Sequence, residues 1–345
     1  MTPPKNRLNA VRTTPAITPT SRTPWGGTRM AEHYRAALGL DAGQRVGEAW
    51  VFSLDPAFPS LVDGTPLADA VESTLLLKLL DAAEPLSVQI HPADDYAGLT
   101  AGQSGKPEAW YVLARDPGAG LFLGFKPGVT EARVARALAE SEDVSALMHF
   151  VQVEPGDFFV IDAGTPHAIG AGVMLVEPQR VLPGWSGVTY RYWDWNRRYD
   201  AHGRADPSGE ARELHVAHAL AVTDWARVTR PGFVDEIRVR TEVARAWDPP
   251  VQQLLTSPTL EEPSSDRRGR VAVPSKDLSV MRLAGSGSCE LPDWSSQGAA
   301  ALCVLEGVVE LDGLIATAGQ TLALVAHGQT VELTLAHAIL AAARP

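Results

Sequence analysis

Short strand-like runs separated by glycine and proline constrain this chain more than any other feature. The 345 residues include 30 Gly and 26 Pro, and strand-like runs at 46–54, 74–91, 110–113 and 121–125 are bounded by turn residues. Helical periodicity is confined to blocks at 130–139, where Thr130 is a candidate N-cap, at 144–150 and at 210–222. Many short strands with helices set aside in blocks predict a mainly β fold of β-barrels with a small helical insertion.

Changes in local composition and periodicity along the chain also predict how it is divided into domains. Residues 1–20 are rich in Pro and Thr and are predicted to be a disordered tail. A first β-domain is predicted at 21–225, with a helical insertion at about 130–150 and a closing helix at about 210–222. A second β-domain is predicted at 226–345, and the segment 257–275, rich in Pro, Ser and charge, is predicted to be a loop on it.

Composition excludes several classes of partner. The chain has 41 acidic and 30 basic residues, a net charge of −11, which disfavours nucleic acid and anionic membranes but allows a small anionic substrate. Apolar runs fall short of the roughly 20 residues of a membrane helix, and the first 20 residues lack the apolar core of a secretory signal. The two cysteines, without a CxxC, predict buried thiols in a reducing, cytoplasmic compartment. The oligomeric state is not predicted.

The stretch SVQIHP at 87–92 carries the first chemical signal. Side chains alternate along a strand, so Gln89 and His91 share one face and the apolar Val88 and Ile90 share the other. Gln89 could cap a backbone group, and a lone histidine here could be a satisfied core residue. With Glu108 and His167, however, the pair makes a mixed nitrogen and oxygen set that suits one borderline divalent ion, for which zinc is the expected metal.

The spacing of these residues resembles the two motifs of the cupin superfamily. The stretch GDFFVIDAGTPH at 156–167 has the glycine and histidine spacing of the second motif, with Asp162 where that motif usually has Pro. Gln89-x-His91 followed by Glu108 resembles the first motif, with Gln in place of the first His. The resemblance implies cupin-like β-barrels, or jelly rolls, for both domains.

Further fragments narrow the resemblance to the type I phosphomannose isomerases in their short bacterial form. They are PWGGTRM at 24–30, GEAW at 47–50, LLLKLLDAAEPLSVQIHP at 75–92, GKPEAWYVL at 105–113 and VTYRYWDWNR at 188–197. The resemblance covers about residues 22–225. It implies a metal-dependent aldose–ketose isomerase of carbohydrate metabolism that interconverts mannose 6-phosphate and fructose 6-phosphate, a sugar phosphate pair, through an enediol(ate).

The resemblance also implies roles for individual residues. The expected metal ligands are Gln89, His91, Glu108 and His167. A substrate-facing Lys78 and an active-site Arg191 are expected, although Lys78 could instead extend to the surface. Which of these two cations binds the phosphate is left open.

Three residues are added as substrate-binding candidates: Trp25, Glu48 and Glu177. Trp25 could line the pocket mouth or simply pack, and the two glutamates could line the pocket or form structural ion pairs. Glu48, Glu177 and a metal-bound water are all candidates for the proton-transfer base.

One segment departs from the family pattern and keeps other functions open. After Glu177 this chain has PQRVLPGWSGVTYR, which is longer and more apolar than the family's segment. We therefore keep two alternatives: a sugar-binding or regulatory metal cupin without catalysis, and an iron-dependent cupin dioxygenase. The second domain lacks cupin ligand spacing around His327 and His337, so it is predicted to be a metal-free barrel. The remaining candidates His149, His215 and His218 are predicted to be structural.

Overall fold

The computed structural model describes residues 9–201, 205–241, 249–266 and 269–345. The predicted mainly β fold class is confirmed, because strands dominate these residues. The strands of the first 240 residues are β1 (Ala10–Thr13), β2 (Ala16–Ile17), β3 (Glu48–Phe52), β4 (Leu61–Val62), β5 (Thr65–Pro66), β6 (Leu75–Ala82), β7 (Val88–Ile90), β8 (Gln103–Ser104), β9 (Glu108–Arg115), β10 (Gly120–Phe125), β11 (Met148–Gln152), β12 (Asp157–Ile161), β13 (His167–Ile169), β14 (Val173–Arg180), β15 (Ser186–Gly187), β16 (Tyr190–Trp193), β17 (Arg198–Tyr199), β18 (Glu210–Ala211) and β19 (Arg238–Arg240).

The later strands and the helices complete the described structure. The strands are β20 (Val251–Ser257), β21 (Ser264–Asp266), β22 (Gly269–Pro274), β23 (Leu278–Glu290), β24 (Ala300–Leu311), β25 (Leu314–Thr317), β26 (Thr321–Leu324) and β27 (Thr330–Ala343). The α-helices are α1 (Arg29–His33), α2 (Arg35–Leu38), α3 (Glu131–Ala139), α4 (Val216–Val222), α5 (Trp225–Val228) and α6 (Phe233–Ile237), and 3-10 turns lie at Leu67–Asp69, Val144–Leu147 and Ser295–Gln297. None of the helices in the described ranges is both long and apolar enough to cross a membrane.

Three large sheets organise the described residues. A seven-stranded sheet has the order β19-β12-β9-β14-β6-β3-β2, and a five-stranded sheet has the order β11-β10-β13-β7-β16. The C-terminal sheet runs β1-β26-β24-β27-β23-β20-β22-β21, with β25 paired to β24. One apolar cluster joins the seven-stranded and five-stranded sheets, and another joins the seven-stranded and C-terminal sheets. Each sheet is an open path of strands in the described part, so the jelly-roll layers face one another without forming a closed barrel.

The seven-stranded sheet is buried on both faces, which explains the apolar run TLLLKLL. All eight residues of β6 are buried. Leu77 and Leu79 pack toward the C-terminal sheet, whereas Leu80 packs toward the five-stranded sheet. A strand covered on both sides needs apolar residues at consecutive positions. By alternation, Lys78 shares the face of Leu80 and therefore points between the seven-stranded and five-stranded sheets.

The prediction of a disordered tail at 1–20 is wrong for residues 9–20. Strand β1 pairs with β26 of the C-terminal sheet, and β2 pairs with β3 of the seven-stranded sheet. The hydroxyl of Thr13 donates a hydrogen bond of 2.7 Å to the carbonyl of Val51. Backbone groups at the edges of two distant sheets order this segment, and composition does not reveal such partners. Residues 1–8 lie outside the described part.

The helical blocks agree with the structure in part. Helix α3 begins after Thr130, whose hydroxyl accepts a 3.3 Å hydrogen bond from the backbone N–H of Arg133, as expected of an N-cap. The predicted helix at 144–150 is a 3-10 turn that gives way to β11 at Met148. The predicted closing helix begins at Val216 rather than at 210, because residues 210–211 form β18.

Two further boundaries differ from the prediction. The segment 257–275, predicted to be a loop, contains β21 and β22, which pair with each other. Strand β19 lies beyond the predicted domain boundary at 225, yet it completes the edge of the seven-stranded sheet by pairing with β12. Together with β1, it shows that the chain crosses between the sheets at more points than a single boundary allows.

Candidate metal centre and its cavity

Two histidines and one glutamate converge between the seven-stranded and five-stranded sheets. His91 directly follows β7, His167 begins β13, and Glu108 begins β9 of the facing sheet. One carboxylate oxygen of Glu108 lies 3.2 Å from His91 Nε2, and the other lies 3.2 Å from His167 Nε2. All three residues are buried, and their ligand atoms lie within 4.8 Å of one another. It is the one such cluster of His, Cys, Asp or Glu among the described residues.

Backbone carbonyls fix the tautomer of both imidazoles. His91 Nδ1 lies 2.9 Å from the carbonyl oxygen of Val188, and His167 Nδ1 lies 2.8 Å from that of Thr165. A carbonyl oxygen can only accept, so each Nδ1 carries the proton and each neutral ring presents an Nε2 lone pair. Both lone pairs face Glu108, and His91 Nε2 is buried without a hydrogen-bond partner. A cation bound between them would attract the two lone pairs and the carboxylate, which otherwise repel one another. An Nδ1–H bonded to a carbonyl is also typical of metal-ligating histidines.

The surroundings keep the two imidazoles neutral. Burial, and after it the ammonium of Lys106, lower the pKa of His91 to about 4. Burial also lowers the pKa of His167. Protonation therefore does not relieve the repulsion between the ring lone pairs and the Glu108 carboxylate near neutral pH. Two neutral imidazoles and a carboxylate match the donor set of a divalent-metal site.

Gln89 lies beside this cluster. It is directly opposite His167 in the pairing of β7 with β13. Its side chain lines a cavity to which Glu108 and His167 also contribute. The amide nitrogen donates a 3.0 Å hydrogen bond to the hydroxyl of Ser87, which orients the amide. Gln89 is thus brought to the cluster, and its predicted role as a ligand stays a prediction.

A buried cation flanked by two carboxylates lines the rest of the cavity. Lys78 Nζ lies 3.2 Å from a carboxylate oxygen of Glu177 and 3.7 Å from one of Glu48. The indole N–H of Trp110 donates to Glu177 at 2.9 Å, and that of Trp50 donates to Glu48 at 2.7 Å. Lys78 therefore does not extend to the surface, and both glutamates line the cavity.

The pKa values of the two glutamates are shifted in opposite directions. Burial, and after it the charge of Glu108, raise the pKa of Glu177 to about 7. Burial also acts to raise the pKa of Glu48, but the ammonium of Lys78, the indole hydrogen bond of Trp50 and the more distant cations together outweigh burial, and the net shift is downward. Burial acts to lower the pKa of Lys78, but Glu48 and Glu177 outweigh it and raise that pKa. The cavity thus holds carboxylates in different electrostatic environments around one cation.

Two cavity residues were missed by sequence reasoning. Gln179 Nε2 donates a 2.7 Å hydrogen bond to Glu108, and its Oε1 is buried without a hydrogen-bond partner. Lys106 Nζ lies 3.9 Å from the same carboxylate. Alternation was the available signal, because Lys106 is two residues before Glu108, and Gln179 is two residues after Glu177.

Arg191 and Trp25 lie outside the described lining of the cavity. Arg191 is opposite Gln89 on the neighbouring strand, where its Nε donates to Ser87 at 3.3 Å and a terminal nitrogen donates to the carbonyl of Glu213 at 2.8 Å. It therefore reaches the cavity through Ser87. Trp25 is only 4% exposed and belongs to the apolar core between the sheets. Its predicted contact with substrate stays a prediction.

The segment that departs from the family pattern is joined to the cluster. It contains Val188, whose carbonyl oxygen accepts from Nδ1 of His91. The segment also contains β15, which pairs in parallel with β8. Trp185, just before β15, is 47% exposed. Two other histidines form hydrogen bonds within the chain. His215 Nδ1 accepts from the backbone N–H of Arg191 at 3.0 Å, and His218 Nδ1 lies 2.9 Å from the hydroxyl of Tyr96.

Curated relatives of this chain are named mannose-6-phosphate isomerases. No model of a known protein family matches the chain. The probable mannose-6-phosphate isomerase GmuF of Bacillus subtilis is 35% identical over 217 residues, which are 57% of this chain and 64% of GmuF. The chain thus spans somewhat less than two thirds of that relative. The putative mannose-6-phosphate isomerase YvyI of Bacillus subtilis is 30% identical over 231 residues, which are 61% of this chain and 67% of YvyI.

Solved structures extend the likeness over the whole fold. The crystal structure of the mannose 6-phosphate isomerase from Bacillus subtilis has a TM-score of 0.69 at 24% identity and covers 97% of this chain and 99% of its own. The Salmonella typhimurium enzyme, solved with fructose 6-phosphate and zinc, has a TM-score of 0.64 at 15% identity and covers 98% and 100%. These likenesses agree with the predicted fold class. The identity to curated relatives goes further, and on that ground this chain belongs to the mannose-6-phosphate isomerase family.

Proposed function

We propose that this chain is a metal-dependent aldose–ketose isomerase that interconverts mannose 6-phosphate and fructose 6-phosphate. The observation that carries the proposal is the pair of neutral imidazole lone pairs aimed at Glu108, whose carboxylate lines the same cavity as a buried lysine held between two glutamates. The curated relatives bear the name of this activity, and the Salmonella typhimurium enzyme was solved with fructose 6-phosphate and zinc.

His91, Glu108 and His167 would hold one divalent ion, zinc in our proposal, with Gln89 as a fourth ligand. The support is chemical: both imidazoles are neutral, buried and fixed in the Nδ1–H tautomer, and Gln179 orients the carboxylate. A bound divalent ion supplies positive charge to the sugar oxygens on which negative charge develops.

The isomerisation moves one proton between neighbouring carbons. A proton leaves C2 of the aldose for a carboxylate and returns to C1, while the hydroxyl proton of O2 is transferred to O1. Glu48 and Glu177 both line the cavity and are the candidate bases. Each is oriented by an indole N–H, so each is held in a single position for proton transfer.

We divide the two cations between the two anionic parts of the substrate. Lys78 is buried between the glutamates and suits the enediolate oxygen. Arg191 is half-buried outside the lining and contacts Ser87 at its edge, which suits the distal phosphate. A planar guanidinium also matches phosphate geometry better than an ammonium does.

The test combines metal analysis with turnover. Purified protein is examined for bound metal, and fructose 6-phosphate formation is followed in a coupled assay before and after chelation. His167→Ala should lose metal and activity together, whereas His33→Ala, which removes an exposed histidine of α1, should keep both. A His167→Ala protein that retains metal and turnover would contradict the proposal.

One observation favours a second function, that of a sugar-binding or regulatory metal cupin. The segment after Glu177 is more apolar than the family's, and it carries the exposed Trp185. Metal content and fructose 6-phosphate binding without turnover would select this function instead. Either function is proposed for the cytoplasm, where the free thiols of Cys289 and Cys303 would stay reduced.

A further inference from the structure

A second cavity lies between the seven-stranded sheet and the C-terminal sheet. Its volume is about 160 Å³, and both sheets contribute to its wall. Its polar lining consists of Tyr34, Tyr111, Thr241, Arg282, Glu306 and His337. Tyr111 follows Trp110 on β9, and successive side chains of a strand point to opposite faces. The second cavity is therefore separated from the candidate metal centre by the seven-stranded sheet.

Arg282 is the unusual member of this lining. On β23 it shares the face of Val280, which packs into the apolar cluster between the two sheets. The residue is 3% exposed, and its Nε is buried without a hydrogen-bond partner. Among the described residues, no carboxylate forms an ion pair with its guanidinium. Burying a charge without a partner costs several kcal/mol, so such a charge calls for a counter-ion.

Other buried arginines of this chain show the usual arrangement. Arg180 is 7% exposed and lies 2.6 Å from a carboxylate oxygen of Asp94 and 3.3 Å from one of Asp277. Arg238, which is largely buried, pairs with Asp157. The fold therefore supplies a carboxylate where it buries a guanidinium, and Arg282 departs from this rule beside a cavity.

The described neighbours of Arg282 supply no negative charge to its guanidinium. The hydroxyl of Tyr111 lies 2.9 Å from His337 Nε2 and also forms a hydrogen bond with the guanidinium of Arg282, but this hydroxyl carries no negative charge. Burial, and after it the charge of Arg282, lower the pKa of His337 to about 4, so the imidazole is neutral at physiological pH. Glu306 lines the cavity, but its side chain is exposed to solvent and does not pair with the guanidinium.

We propose that this cavity binds a small oxyanion of the phosphate class, held by the guanidinium of Arg282 with Tyr111 beside it. The fork of N–H donors on arginine matches the oxygen spacing of phosphate. A cavity of this size has room for a tetrahedral anion. The two sheets would then share one ligand at their interface. This inference is independent of the isomerase proposal, because the site lies on the other side of the seven-stranded sheet.

Equilibrium dialysis of the metal-loaded full chain against labelled inorganic phosphate tests the site. The wild-type chain should bind one more phosphate than Arg282→Met. Arg136→Met is the matched control, since it removes one charge from an exposed position of α3, and it should bind as the wild type does. Arg191→Met should keep the phosphate that depends on Arg282, which separates this site from the proposed substrate site.

Thermal unfolding provides a second readout. Phosphate should raise the melting temperature of the wild type more than that of Arg282→Met, because a ligand that binds only the folded state stabilises it. Equal stoichiometry and affinity in Arg282→Met and wild type would overturn the proposal. If Arg282→Met does not fold, Arg282→Lys keeps the charge but loses the planar fork. An affinity of Arg282→Lys equal to that of the wild type would then overturn the assignment.

Discussion

The two β-units of this chain share an architecture but fill their interiors differently. Between the seven-stranded and five-stranded sheets, charged and ligating side chains are buried among apolar ones: Lys78, His91, Glu108, His167 and Glu177. The interior of the C-terminal sheet is almost entirely apolar, with residues such as Leu283, Leu302, Val304 and Leu333. The contrast teaches that the fold does not supply the chemistry. A few inward-facing side chains supply it, and ion pairs and hydrogen bonds among them offset the free energy of burying their charges.

Replacing the buried cation should have the largest effect. In Lys78→Met, we expect turnover to fall by about 10²–10³-fold, because one stabiliser of the enediolate is lost. Glu48 and Glu177 would also lose their partner, which costs about 3–5 kcal/mol for a broken buried pair. Steady-state kinetics and urea unfolding measure both effects. Lys276→Met, at an exposed position, is the control, and equal kinetics for the two variants would break the comparison between the units.

The apolar interior should respond in stability alone. Leu302→Ala leaves a cavity in the C-terminal unit, where Leu302 is fully buried, and should cost about 2–5 kcal/mol in the free energy of unfolding. Metal content and turnover of the folded variant should match those of the wild type. A large loss of turnover at temperatures where the variant is folded would show that the C-terminal unit takes part in the chemistry.

The interface between the units should show a pH dependence that comes from His337. Its pKa is about 4 in the folded chain against 6.5 for an ordinary histidine. The unfolded chain therefore binds more protons between these values, so this contribution to stability is present above pH 6.5 and is lost as the pH falls toward 4. Because the residue is partly exposed, we expect on the order of 1–2 kcal/mol.

The control for this prediction is His337→Gln, which removes the titrating group. Unfolding free energies measured across the same pH range should lose that part of their slope in the variant. Identical pH profiles for the variant and the wild type would count against a lowered pKa of the partly buried His337.

The smallest effect is expected where the first ordered strand touches both units. Thr13 lies in β1 of the C-terminal sheet, but its hydroxyl donates to Val51 of the seven-stranded sheet. Thr13→Val keeps the shape and removes this hydrogen bond, which should cost about 1 kcal/mol. Chemical denaturation measures the loss, and turnover should not change. A destabilisation several times larger would mean that β1 holds the units together more strongly than one hydrogen bond suggests.

Local patterns in the sequence determined the strand texture, the N-cap at Thr130 and the side on which key residues lie. The shared strand face of Gln89 and His91, together with the resemblance of the spacing to the cupin motifs, predicted the cluster of His91, Glu108 and His167 that the structure brings together. These features could be read because strand alternation and short motif spacing depend on neighbours in the chain.

Only the tertiary structure decided which strands lie side by side. Gln179 reaches Glu108 because β14 pairs with β9, and residues 10–13 are ordered because β26 offers an edge. Trp25 packs in the core, and Arg282 is buried without a carboxylate partner among the described residues, for the same kind of reason. Alternation tells which face of a strand a side chain lies on. Which element packs against that face depends on the free energy of contacts between residues far apart in the chain.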